Sequence, residues 1–138
     1  MAQFYQVVLA LHVTAAFSGF AVSLGLVITA YRSRRTGILS ARFWRWQAVI
    51  QIVTLALGVL GASLYAMGGR PKVAWHLLYG AIALLTILIQ WGLRPHQTLR
   101  GILAADYGRF NEVWVFFGLN LFLWIMYGRG LTTGLWGF

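Results

Sequence analysis

Cysteine is absent from this chain. That excludes disulfides, thiolate zinc sites, iron–sulfur clusters and covalent c-type haem attachment. Acids are nearly absent: Asp106 and Glu112 stand against eleven lysines and arginines. The sequence holds no phosphate loop, no nucleophile elbow and no carboxylate pair suited to acid–base work. Charge of either sign is scarce, at 9% of residues, where a soluble domain carries about 25%. Proline occurs only as Pro71 and Pro95. Both fall in breaks between apolar runs.

What the chain has is apolar length. Of 138 residues, 60% are hydrophobic. A water-soluble core of this size has no room for so much apolar surface, so lipid is the expected solvent. Four spans are predicted: Phe4–Tyr31, Trp46–Met67, Val73–Leu93 and Phe110–Tyr127. The first run is too long for a leader's apolar region and no basic segment precedes it, so it reads as a retained span. The stretch 96–109 reads as a polar connector, in part a surface helix. The Gly-rich tail Gly128–Phe138 is expected in the interface, anchored by Trp136. With connectors this short, neighbouring helices run antiparallel. The expected fold class is all-α: a polytopic membrane protein, one domain over 1–138, built as a four-transmembrane-helix up-down bundle.

The net charge is +9. The arginines sit in short gaps between apolar runs, a pattern that marks topology and contact with anionic headgroups rather than nucleic acid. The first connector carries Arg32, Arg34, Arg35, Arg42 and Arg45; the third carries Arg94, Arg100 and Arg109. The second has only Arg70 and Lys72, and the tail only Arg129. The positive-inside rule then places connectors one and three in the cytoplasm and both termini outside, in a bacterial inner membrane.

Two of the three histidines lie in apolar runs, where ionisable groups are costly and usually functional. His12 is 20 residues before Arg32, and His76 is 18 before Arg94. At ~1.5 Å per residue these are depths of ~30 Å and ~27 Å. Both therefore fall at the outer boundary of the hydrocarbon, at nearly one height. Two imidazoles at matched depth could ligate one metal between them. His96, after Pro95, reads as an exposed loop histidine.

Small residues accompany each histidine. Ala16, Gly19 and Ser23 follow His12 on one helical face, and Gly80 and Ala83 follow His76. On the second span Gln51, Thr54, Gly58, Gly61, Ala62 and Tyr65 form a small and polar stripe. Such faces let a porphyrin lie against backbone, and they equally let helices approach closely. A haem b held by His12 and His76, with Gly19, Gly58 and Gly80 beside it, fits the absence of cysteine. Arg70, Lys72 and Arg129 could pair with propionates at the outer surface, or serve as interfacial anchors. Zinc wants about four donors, and no acid or cysteine falls near this depth. Met67 and Met126 leave a His–Met haem open.

The order LALHVTAAFSG, YRSRR, QIVTLALGVLG, a Gly/Pro break, then AWHLLYGAIALL resembles one half of a haem A synthase. The likeness runs from Leu9 to Arg94. It implies His12 and His76 as axial ligands in a small four-helix membrane b-type cytochrome. Two departures stand out. In that family the first histidine is typically followed by Arg and preceded by Glu, whereas here Val13 follows His12 and Gln6 is the nearest preceding polar residue. The chain also matches one half rather than two. Both departures tell against the oxidative methyl chemistry of that enzyme and leave a haem-carrying electron carrier.

The expected function is therefore electron transfer through one haem b near the outer face. A quinol or an external redox protein would be the partner, with the lipid bilayer as surroundings. The alternative is a haem-free accessory subunit packed against a larger membrane complex, marked by the aromatic fourth span and the Gly-rich tail; other membrane subunits or a second copy of the chain would be its partners. A small transporter is a third reading, with Glu112 and Asn120 as its polar path. Glu112 also suits a first-turn acid favoured by the helix dipole. Asn120 suits a hydrogen bond to a neighbouring helix. Trp44, Trp46, Trp75, Trp91 and Trp136 fall where belt residues should, with Trp114 and Trp124 within the fourth span.

Overall fold

The computed structural model describes residues 2–107 and 110–137, and these form helices and turns without a strand. Four helices are long and apolar enough to cross a membrane, so the chain is a multi-pass membrane protein. They are α1 (Ala2–Arg32), α2 (Ala41–Ala66), α3 (Trp75–Gly92) and α5 (Glu112–Leu135); α4 (Thr98–Tyr107) is the short connector helix. The expected all-α four-helix bundle is the observed architecture. In hydrocarbon no water can take up a backbone N–H or C=O, so each span closes its own hydrogen bonds as a helix.

Two boundaries differ from the predicted ones for local reasons. Helix α2 starts at Ala41 because Ser40 caps it, its Oγ accepting from Phe43 N at 3.2 Å. Arg42 and Arg45 thereby become helical. Helix α5 runs on to Leu135, through Gly128, Gly130 and Gly134 of the tail expected to lie in the interface. Glycine disfavours helix in water, but here backbone satisfaction and close packing outweigh that preference. A Cβ at Gly128 would lie 3.4 Å from the Phe20 ring.

The other ends follow similar rules. Asn111 caps α5, its Oδ1 accepting from Trp114 N at 3.3 Å, and Glu112 occupies the first turn. Helix α2 stops in a Schellman turn: Gly69 N donates to Leu64 O at 2.9 Å and Gly68 N to Tyr65 O at 3.1 Å. Gly68 takes the required left-handed backbone, φ 90°. His96 is exposed, as expected, and turns the chain between α3 and α4 with φ 68°.

Around the bundle, α1 packs along α2 and α5, while α3 packs along α5 and over a shorter seam along α2. Helices α1 and α3 occupy opposite corners. The fully buried side chains, led by Phe43, Phe116, Ile50 and Leu123, concentrate toward the arginine-rich end. There Trp44 meets Phe116 edge-on, ring centres 4.8 Å apart. Outward-facing apolar side chains such as Ile52, Val59, Trp75 and Trp136 are exposed, as lipid-facing residues are.

Candidate functional site

His12 lies in the body of α1 and His76 in the first turn of α3. These are diagonal helices, so each imidazole has to reach across the bundle. The two rings meet, with centroids 6.2 Å apart and planes inclined by 57°. Both side chains are half-buried.

Glycine on a neighbouring helix faces each ring. A Cβ on Gly61 of α2 would stand 3.2 Å from His12 Cε1. A Cβ on Gly134 of α5 would stand 3.0 Å from His76 Cε1 and 3.2 Å from its Nδ1. The histidine level is thus two imidazoles on one diagonal, each ring bordered by a glycine of the other diagonal. Any side chain at either glycine would press on a ring.

Their hydrogen bonding differs. His76 Nδ1 lies 3.0 Å from Gly130 O and 3.3 Å from Thr133 Oγ1. A carbonyl can only accept, so Nδ1 carries a proton, and in a neutral ring Nε2 keeps the free lone pair. Such a backbone contact is the usual way a ligating histidine is oriented. His12 Nδ1 is buried with no hydrogen-bond partner. Among the described residues, no group of three His, Cys, Asp or Glu gathers that could hold a metal ion.

The remaining candidate residues are dispersed. Gly19 lies under the Tyr127 ring, which fills the space a Cβ would need. Gly58 faces the Leu84 side chain, 3.1 Å from a Cβ position. Gly80 is exposed and borders open space, while Ala83 is buried. Ala62 and Tyr65 point outward, so the outer part of the α2 stripe leaves the bundle interior. Arg70 is taken up locally: its Nη1 donates to Tyr65 O and Gly69 O, and its guanidinium lies over the Tyr65 ring at 4.0 Å. Lys72 Nζ donates to Leu135 O at 2.6 Å and so caps the C-terminus of α5. Arg129 sits over Tyr79 at 5.6 Å. Met67 is exposed at the end of α2, and Met126 packs against the core.

A second polar level lies near the arginine-rich end. Gln47 Nε2 donates to Gln90 Oε1 at 2.8 Å, Gln90 Nε2 to Asn120 Oδ1 at 3.4 Å, and Asn120 Nδ2 to Gln47 Oε1 at 2.9 Å. This closed ring of three fully buried amides joins α2, α3 and α5. One turn higher, Gln51 is buried with its Nε2 unpartnered. Above that, Thr54 Oγ1 and Tyr127 OH share a buried bond of 2.8 Å. Glu112 pairs with Arg100 at 2.9 Å and accepts from Leu39 N at 3.2 Å. It therefore ties the first connector to α4 and α5.

Asn120 bonds a neighbouring helix, as expected for a polar residue in a span. Gln47, Gln90 and Gly134 are not among the residues the sequence pattern singles out. The signal for the glutamines was available: Gln47 is two residues after Arg45 and Gln90 four before Arg94, so both sit at similar depth. Gly134 lies beyond the predicted end of the fourth span at Tyr127, in the stretch that composition assigns to the tail.

Fold and site together define a class, a four-helix multi-pass membrane protein with a histidine pair at one end of its bundle. No protein-family model, no curated protein and no solved structure matches the chain.

Proposed function

We propose that this protein is a small membrane b-type cytochrome in which His12 and His76 hold one haem b and electrons pass through it. The observation that carries the reading is the meeting of the two imidazoles from opposite corners of the bundle, centroids 6.2 Å apart. Further support comes from His76, whose Nδ1 is engaged by Gly130 O and whose Nε2 is left for a metal. The glycines at 61 and 134 keep side-chain bulk away from both rings. Full burial is concentrated at the other end of the bundle, so the histidine level is the less closed part.

Haem iron supplies reversible one-electron chemistry when bound. The chain's part is to present two neutral imidazoles, orient one of them through Gly130, and surround both with apolar helix. Arg70, Lys72 and Arg129 stand toward the same end and give it positive charge. The arginine distribution supports an inner membrane with the arginine-rich end in the cytoplasm and both termini outside. A quinol in the bilayer or an external redox protein would exchange electrons at the histidine end.

One observation favours a second reading. The ring centroids are only 6.2 Å apart, and neither of two cavities, of about 460 and 490 Å³, borders the rings. In a haem-free accessory subunit the same pair would be a polar contact across the bundle. A dithionite-reduced minus air-oxidised spectrum of the purified protein, with pyridine haemochrome quantification, separates the two. The cytochrome reading expects a b-type α band near one haem per chain, lost in both His12→Ala and His76→Ala. No Soret band after growth with added haem would refute it and leave the subunit.

A further inference from the structure

The cavity of about 460 Å³ lies away from the histidines, where the start of α2 faces the end of α3. Trp44, Arg45, Ala48, Arg94, Pro95 and Gln97 line it. It thus brings together Arg45 of the first turns of α2, Arg94 from the end of the third span, Gln97 and Trp44.

Among the described residues, no side-chain carboxylate pairs with Arg45 or Arg94. Among the described residues the one ion pair is Arg100–Glu112, and the other Glu112 oxygen accepts from Leu39 N. The only other acid, Asp106, is exposed on α4. Arg94 Nε is buried with no acceptor, so an anion in the cavity would meet this guanidinium through its Nη groups. Burial also pulls the Arg94 pKa below its usual value, which marks a charge short of compensation.

The position narrows the anion. Trp44, Arg45 and Arg94 sit at the ends of spans, at the level of headgroups. Helices α2 and α3 pack on each other less extensively than α2 packs on α1 or α3 on α5. Arginine's planar fork suits phosphate oxygens.

We propose that this cavity binds the phosphate of an anionic phospholipid, with Arg94 and Arg45 as its cationic partners and Gln97 as a further donor. The site is independent of the histidine pair and stands whether or not the protein carries haem.

Native mass spectrometry of the full chain in detergent tests it, with dioleoyl phosphatidylglycerol and dioleoyl phosphatidylcholine as probes. We expect retained phosphatidylglycerol in preference to phosphatidylcholine. Arg94→Gln and Arg45→Gln should each weaken it about fivefold, the effect of one cation near a membrane surface. Arg35→Gln, at the same end but outside the cavity, should leave retention unchanged. Equal loss in Arg35→Gln would reduce the effect to general surface charge and overturn the proposal. Equal retention of phosphatidylcholine would overturn it as well. Displacement of the lipid by millimolar inorganic phosphate would make free phosphate the ligand instead. Should Arg94→Gln fail to insert, Arg45→Gln against Arg35→Gln decides alone.

Discussion

Replacing Asn120 by leucine would open the amide ring at its most connected member. Asn120 accepts from Gln90 Nε2 and donates to Gln47 Oε1 and Phe116 O. Leucine leaves Gln47 Oε1 and Gln90 Nε2 buried without those partners. Each stranded polar atom costs about 1–3 kcal/mol in a protein interior. Measured interhelical bonds in membranes average nearer ~0.6 kcal/mol, because the separated helices also find partners. Between these bounds, Asn120→Leu should destabilise the bundle by about 2–4 kcal/mol. The triple variant Gln47→Met, Gln90→Met, Asn120→Leu removes all three amides and strands none of them. It should cost about 1 kcal/mol or less, well below the single change. Equilibrium unfolding in mixed detergent–SDS micelles, followed by near-UV circular dichroism, reads both values. A triple variant as unstable as the sum of its parts would refute the closed ring. So would an Asn120→Leu cost below ~0.5 kcal/mol.

Other expectations follow from single contacts. Gly19→Ala places a methyl in the Tyr127 ring, so the ring must move and its bond to Thr54 must break; a loss of about 1–3 kcal/mol is expected, relieved when Tyr127→Leu is added. Thr54→Val strands the buried Tyr127 hydroxyl and should cost about 1 kcal/mol in the same unfolding assay. Gly134→Val pushes on His76 from 3.0 Å, so in the cytochrome reading it should lower haem content while helix content by far-UV circular dichroism stays unchanged. Glu112→Gln removes the Arg100 pair, whose side chains are 26% and 16% exposed. It should cost about 1 kcal/mol, less at high salt, and faster proteolysis of the first connector would accompany it.

Much of the architecture was legible in the sequence because lipid imposes a simple rule. A run of about twenty apolar residues must be a helix wherever it lies in hydrocarbon. Arginines and Gly/Pro breaks then mark where the runs end, and short connectors force antiparallel neighbours. Errors arose at ends, where the deciding contacts are local or tertiary. Composition made Gly128–Phe138 read as tail. Packing of Gly128 on Phe20 and Gly134 on His76, with Lys72 capping Leu135, carries α5 onward instead.

The site was legible in part. Depth counting from Arg32 and Arg94 put His12 and His76 at one height, because a helix rises by a constant step. Depth says nothing of rotation about the helix axis or of which helices lie diagonal. The stripes beside the histidines show this limit: Gly19 takes the Tyr127 ring, Gly58 takes Leu84, and Gly80 borders open space. By itself the sequence determined four spans, their alternation and two histidines at matched depth, all consequences of helical rise and lipid solvation. Tertiary structure alone decided which faces meet. It set two imidazoles between Gly61 and Gly134, closed three amides into a ring, and left Arg94 and Arg45 around one cavity. Helix rotation and corner placement come from side-chain packing between segments far apart in the chain, and no local pattern encodes them.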